Sequence, residues 1–319
     1  MKTKNVVAKI RPGSKKSSKR MIKENIQFLI LSLPVIVLLG VFSYWPMFGA
    51  VLAFKNYKVT KGIWGSDWSK PLLKNFEFFL KSKDSARIIK NTLGLNFMFI
   101  VVGILCSVVF ALLLYEVKKA IHVKIYQTFA ILPHFLSWVA VSYIVYALLE
   151  PTKGIMNQII TSFGGEGISW YTEAKFWPVI LLIVSEWHSV GLSCIVYYAA
   201  LMGIDDELFE AADMDGANKL QKMLYISIPH LVPIVCTMFL LSVGKIFRSD
   251  FGLFYNVTRD MGELYATTDV MDTYVYRALI DGSIGMSSAA GLIQSVVGCI
   301  TVIVCNAIVK KASADNALF

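Results

Sequence analysis

Charge is scarce in this chain. Only 17% of its 319 residues are Asp, Glu, Lys or Arg, while 56% are hydrophobic. A soluble domain of this length carries more charge, so an ordinary water-soluble fold is excluded. Cysteine is scarce as well. Cys106, Cys194, Cys236, Cys299 and Cys305 all fall in apolar runs, and no two form a C-x-x-C pair. They read as small core residues, not as a disulfide framework or a thiolate metal site. The histidines at 122, 134, 188 and 230 are scattered, and H-E-x-x-H and G-x-S-x-G are absent. Gly244–Lys245 is followed by Ile and lies in an apolar run, so the chain has no recognisable phosphate-binding loop. Nothing here points to covalent chemistry, a metal or a nucleotide site.

Long apolar runs are what the chain does have. Several approach or exceed the ~20 residues needed to cross a bilayer. The reading is an all-α polytopic membrane protein with six spans at about 26–46, 92–115, 125–149, 178–200, 231–247 and 285–309. The net charge of +9 does not indicate nucleic acid. Nine of the 31 basic residues lie in the first 23 positions with no acid among them. This basic tail, residues 1–25, has no apolar period and reads as disordered. Its main expected role is to hold the N-terminus in the cytoplasm, with contact to anionic lipid or a partner as the alternative. Tail plus first run resembles a signal peptide. The run is too long, however, and "YWPMFG" stands where a small-residue cleavage site belongs, so it reads as an uncleaved span.

An even number of spans puts both termini on the cytoplasmic side, an orientation set by the tail and the short "EVKKAIHVK" turn. The 26–319 domain then carries an outer loop at 47–91. Phe76, Phe79, Leu80, Ala86 and Ile89 recur there at helical spacings, which predicts a surface helix. The other outer loops, 150–177 and 248–284, are rich in Gly, Asp and Tyr. No internal repeat is strong enough to assign.

The insert at 203–230 faces the cytoplasm in this topology, yet it is acidic. Asp205 or Asp206 can cap a helix whose acidic first turn suits the helix dipole. Leu208, Phe209 and Ala212 form an apolar strip. Asp215–Gly216 ends that helix, because glycine accepts the left-handed conformation of a C-terminal turn. A second helix follows with Leu220, Met223 and Leu224 on one face, and Pro229 is expected to stop it and re-aim the chain. Such a helix–turn–helix, apolar with an acidic rim, suits a groove on another protein. The alternative is an interfacial helix pair, which the acidic residues disfavour on an anionic leaflet.

In "EAADMDGANKLQKMLYISIP", Glu210, Ala211, Ala212, Gly216, Ile226 and Pro229 stand at fixed spacing. The stretch resembles the EAA loop of ABC importer permeases, with Ile228 in place of Leu. Further stretches, among them "YWPMFGAVLAFKNYK", "GIWGSDW", "ALLLYEVKK" and "QTFAILPHFLSWV", are similar to carbohydrate-importer permeases of the oligosaccharide and polysaccharide type. The resemblance covers nearly everything after about residue 25. It implies the type I ABC importer permease fold in a bacterial cytoplasmic (inner) membrane. It also implies a second homologous permease, two ATP-binding subunits that hold ATP and Mg, and an extracellular solute-binding (lipo)protein. In the family the EAA helix pair docks into a cleft of the ATPase, and closure of the ATPase dimer alternates the permease between inward- and outward-open states. The chain itself is then no enzyme and holds no cofactor.

Polar groups inside spans are expensive and usually face a cavity or a neighbouring helix. The fourth span carries Ser185, Ser189, Ser193 and Tyr197 on one face, with Glu186, Trp187 and His188 beside them. The third carries Trp138, Ser142 and Tyr146. The fifth carries Ser242, Lys245, Arg248, Ser249 and Asp250. Aromatic faces, hydroxyls and charges of this kind can bind a sugar. The competing reading is helix packing, interfacial anchoring, and pairing of Lys245 with Glu186 or Asp250. Ser287, Gly291, Ser295 and Cys299 of the sixth span read as a helix-packing face. Three other functions compete: a permease for a non-sugar solute, an ion-coupled secondary transporter or channel, and a membrane glycosyltransferase. A secondary transporter needs no docking loop, and a transferase needs convergent acids.

Overall fold

The computed structural model describes residues 18–81 and 83–312. The chain divides into two compact units, 1–51 and 52–319. In the first unit a helix at Ser18–Leu39 runs into a π turn at Gly40–Tyr44, and a 3-10 segment begins at Trp45. Most of the basic tail lies outside the described residues. Its last part does not stay irregular, since the first helix begins at Ser18 and not at 26.

The second unit holds the remaining spans. One helix, Lys83–Tyr115, takes in the second span and also Ala86 and Ile89, which the sequence assigned to a surface helix. That surface helix is shorter, Lys74–Lys81. The fourth, fifth and sixth spans are Trp177–Leu201, Lys219–Val243 and Ile284–Ala312. The helices at Ala120–Phe135 and Trp138–Leu149 meet at 98° and are long enough to cross a bilayer only as a pair. Among the described residues there are thus five continuous apolar helices, or six spans when that pair counts as one. The expected continuous helix over 125–149 is corrected. Pro133 ends regular α-helix in a 3-10 turn, Leu136 and Ser137 are extended, and the Ser137 hydroxyl accepts from the Ala140 N–H to start a new helix.

Pro229 does not act as expected either. The helix from Lys219 runs on to Val243 through a π turn at Met223–Ser227. The Ile228 N–H reaches back to Met223 O, and this wider turn makes room for a ring that would otherwise clash with the carbonyl four residues before it. Lys245 is not inside the fifth span, which ends at Val243.

Two buried clusters lie at opposite ends of the fourth span. One gathers Trp177 and Leu181 with Val141, Val145 and Leu149. Leu253, Phe254, Val257, Leu264 and Val270 complete it, so 248–284 is a folded helical layer and not an open loop. Its polar centre is an ion-pair network: Arg277 bonds Asp260 at 2.8 Å and also buried Asp269, which accepts from Arg87 at 3.4 Å. The other cluster gathers Ala111, Leu114, Cys194, Tyr197, Leu201 and Leu231. Between them the fourth span passes so close to the first half of the third that a Cβ on Gly191 would sit 1.9 Å from Ala130 O. Glycine is required there for the backbones to approach.

Candidate functional site

At one end of the second unit the helix Asp206–Met214 stands off the spans. The Asp205 carboxylate accepts from the Glu207 N–H, which resolves the choice of cap. Gly216 has φ +73° with open space around its missing Cβ. Asn218 and Gln221 exchange hydrogen bonds in a capping box that starts the next helix. Lys222 Nζ bonds Asp213 at 2.6 Å and ties the two helices together.

The apolar strip splits. Phe209 turns inward, onto the cluster of Leu114 and Leu201 and 5.9 Å from the Tyr115 ring. Ala212 is half-buried. Leu208, Glu210, Ala211, Asp215, Gly216 and Leu220 are exposed. So is Met214, 89% exposed, which the sequence reading passed over. It stands three residues after Ala211, a helical spacing that could have revealed it. Met223 packs inside while Leu224 stays exposed. Lys219 bonds Glu116 at 3.0 Å, so the pair is fastened to the end of the second span.

Within the spans, a cavity of about 390 Å³ opens between the second, fourth and fifth spans. The fourth span contributes Ser185, Glu186, Ser189, Ser193 and Tyr197; the fifth span and the turn after it contribute Met238, Ser242, Lys245 and Arg248. The second span supplies Asn96, Phe99, Gly103 and Ser107. The sequence reading missed these, although Asn96, Gly103 and Ser107, small or polar at steps of seven and four in an apolar run, carry a helical-face signal. A Cβ on Gly103 would lie 3.2 Å from Glu186 Oε1. Glu186 Oε2 is buried with no hydrogen-bond partner among the described residues.

The other candidates lie elsewhere. Trp138 stacks on buried His188 with ring centroids 4.1 Å apart and donates Nε1–H to Asp250 at 3.0 Å. His188 Nε2 meets Leu136 O at 3.2 Å, so these side chains support the bend of the third span. Ser142 donates to its own helix at Val139 O. Tyr146 packs on the core under Arg259, whose guanidinium lies 4.3 Å from the ring centre. Trp187 is exposed outside the cavity, in an apolar cleft with Phe129 and Pro133. Ser249 is buried, accepting from Asn96 Nδ2 at 3.0 Å. Lys245 pairs with neither Glu186 nor Asp250, and neither it nor Arg248 forms an ion pair among the described residues.

The turn that carries Lys245 and Arg248 is held from several sides. Asn96 Nδ2 donates to Ile246 O at 2.7 Å, and Gln294 Nε2 donates to Phe247 O. Asp272 accepts from the Ser249 N–H at 2.6 Å and from Gln294. Burial pushes the Asp272 carboxyl above its ordinary range, against the pull of these hydrogen bonds and the nearby Arg248 charge.

The small-residue face of the sixth span also divides. Ser287 is buried and Gly291 half-buried, but Ser295 and Cys299 are exposed. The inward face continues instead through Ala290, Gln294 and Gly298, and Gly298 lies against Gly244 at the end of the fifth span.

Comparison with known proteins agrees with this arrangement. Residues 100–313 match the model of the binding-protein-dependent transport system inner membrane component family. Protein LplB of Bacillus subtilis is 33% identical over 296 residues, covering 92% of each chain. The polygalacturonan/rhamnogalacturonan transport system permease protein YteP of the same organism is 33% identical over 310 residues, covering 95% of this chain and 94% of that one. A bacterial alginate ABC transporter has been crystallised in complex with an alginate pentasaccharide-bound periplasmic protein. One of its chains superimposes with a TM-score of 0.82 at 29% identity, covering 92% of this chain and 97% of that chain. With its apolar spans, its projecting helix pair and this match over two thirds of its length, the chain belongs to the family of binding-protein-dependent transport system inner membrane components.

Proposed function

We propose that this protein is one of two membrane subunits of an ATP-driven importer for sugars, specifically oligosaccharides or polysaccharide fragments. The observation that carries the reading is the helix pair at 205–222, capped at both starts, turned on a positive-φ glycine and exposing Leu208, Glu210, Ala211 and Met214. It has the shape of a part made to seat in another protein. The polygalacturonan/rhamnogalacturonan transport of YteP and the alginate transporter's complex with a saccharide-bound periplasmic protein support a sugar cargo and delivery by a binding protein.

In this reading the pair faces the cytoplasm with both termini, and a separate ATPase dimer holds ATP and Mg. A second, homologous permease faces this one across the path, and the binding protein meets the opposite end, where 150–176 and 248–283 lie. When the ATPase closes, force enters through the exposed residues. It passes to the second span through Phe209 on Tyr115 and Lys219 on Glu116. The second span lines the cavity, so the docking face and the path share one rigid helix. The cavity then alternates its access between the two sides.

Gentle purification of the tagged chain from native membranes tests this. Recovery with a homologous permease and an ATP-binding subunit, and ATP-dependent sugar uptake by the reconstituted complex, is the expected result. Recovery alone or as a homo-oligomer across several mild detergents moves the assignment to an ion-coupled transporter.

A further inference from the structure

The third span is interrupted inside the bilayer. Its break meets the fourth span at His188, whose Nε2 lies 3.2 Å from Leu136 O. His188 stands near the middle of the helix Trp177–Leu201, so the break lies close to half-depth. Leu136 and Ser137 are extended there. Extended residues cannot continue the helical ladder, so backbone N–H and carbonyl groups around them lose their partners within the helix. His188 takes one of these, the Leu136 carbonyl.

Lipid cannot satisfy the rest. Irregular backbone at this depth is tolerated only where protein covers it or water reaches it. The chain itself covers one side. Pro133 and His188 are buried, and Trp138 lies against Gly252. The other side is open: His134, Phe135 and Ser137 are exposed, Phe135 at 79%.

That open side runs into charge. The Ser137 hydroxyl accepts from the Ala140 N–H at 3.3 Å, which leaves its O–H to donate. The neighbouring Trp138 donates to Asp250 at 3.0 Å, and Asp250 is exposed. Lys245 and Arg248, on the turn just before Asp250, are exposed too and line the cavity. Charges within the membrane do not face lipid. A tight contact with the second permease suits them poorly as well, because the buried core of a protein interface is depleted of charge.

We infer that the break of the third span forms, together with the turn at 245–250, a polar wall of a water-filled path, and that His134, Phe135 and Ser137 face that water and the hydroxyl-rich cargo within it. The inference rests on the importer reading above and adds where the path runs. It passes across the interruption as well as along the cavity between the second, fourth and fifth spans. Ser137 supplies a donor for a cargo hydroxyl there, and the Phe135 ring offers a face for sugar C–H groups.

The test places single cysteines in a background with the native cysteines replaced, in the importer assembled with its second permease and ATPase. The probe is a sulfonate-bearing methanethiosulfonate, which stays in water. Phe135→Cys and Ser137→Cys should react roughly tenfold or more faster than Ile183→Cys, because a thiol must reach water to ionise to the reactive thiolate. Ile183, 63% exposed on the fourth span outside the cavity, is the dry control. Both rates should change when the ATPase is trapped with ATP and vanadate, since access to the path alternates. Modification at either position should stop ATP-dependent uptake of whichever trisaccharide the binding protein captures from a neutral and acidic set. Ser137 is also a helix cap, so Phe135→Cys decides the matter if the other variant fails to assemble. Rates no faster than that of Ile183→Cys, with labelling by a lipid-soluble maleimide instead, overturn the inference and put the break against lipid. Fast labelling of the chain alone that is lost in the assembled importer also overturns it and puts the break under the second permease. Fast labelling indifferent to ATP, with no ATP-dependent uptake by the parent, supports the wet break and overturns the importer reading.

Discussion

Single residues carry much of the geometry here, and glycines show it most sharply. Gly216 turns with φ +73° and has nothing within 4 Å of its missing side chain. A substitution there is opposed by backbone conformation alone. Gly216→Val should still insert in the membrane but lose the ATPase during purification, with a local cost of about 1–2 kcal/mol or more. Gly216→Asn should keep far more of it, because Asn visits that conformation. Equal ATPase retention by parent and Val variant counts against the turn as a docking element. Gly191 is different. Its φ is ordinary, and the obstacle is the Ala130 carbonyl 1.9 Å from a built Cβ. Gly191→Ala should cost about 1–3 kcal/mol as the helices are forced apart, read as a lower unfolding temperature in detergent. The sequence announces Gly216, next to Asp and between two amphipathic stretches. It gives no sign of Gly191, whose need arises from a helix sixty residues away.

At the scale of elements, the sequence located the apolar runs and the projecting helix pair, and misjudged how prolines act on them. Pro133 breaks a span whose apolar run is continuous, while Pro229 leaves a helix running through the point where a proline is expected to end it. The difference is local. Around Pro229 a π turn re-aims the backbone hydrogen bonds, whereas after Pro133 an extended Leu136 and a capping Ser137 start a new direction. The 248–284 stretch looked like a polar loop because its apolar residues follow no long period, yet they fill a core between three helices.

Asp272 of that layer predicts a pH effect on the braced turn. Its carboxyl is raised above 3.8 by burial, so the folded state holds the proton more firmly than the unfolded chain. Its contribution to stability is therefore greatest below the unfolded value. It falls as pH rises from about 4 toward the raised value, then levels off. Thermal unfolding of parent and Asp272→Asn across that interval should show the parent losing ground as pH rises. A constant difference argues that Asp272 does not titrate in the fold.

For the whole molecule, the decisive question is which end faces the cytoplasm. Phe163 is 88% exposed between the third and fourth spans, and Met214 is 89% exposed on the helix pair. In a background with the native cysteines replaced, Phe163→Cys should react with a membrane-impermeant maleimide in intact cells. Met214→Cys should react only after the cells are opened, and more slowly once the ATPase is bound. Labelling of both positions from one side would break the alternation of spans.

Composition and period alone determined that this chain lives in a bilayer and roughly where it crosses. They also placed an acidic helix pair that belongs outside it. These follow from the free energy of apolar side chains in water and from a 3.6-residue repeat, both of which are local. The resemblance carried by the EAA spacing and the flanking stretches named the family on the same local footing. Only the tertiary structure decided which polar residues share a cavity. Trp138, His188, Ser249 and Asp250 looked as suitable as Ser185, Ser189, Lys245 and Arg248. Trp138, His188 and Asp250 are spent on one another and on backbone groups around a bent span, and Ser249 on Asn96, while the latter four line open space, Ser189 with its hydroxyl donated to Ser185 O. Whether a polar side chain is satisfied by a neighbour or left free for a ligand depends on partners far away in sequence. That information appears only when the helices are packed together.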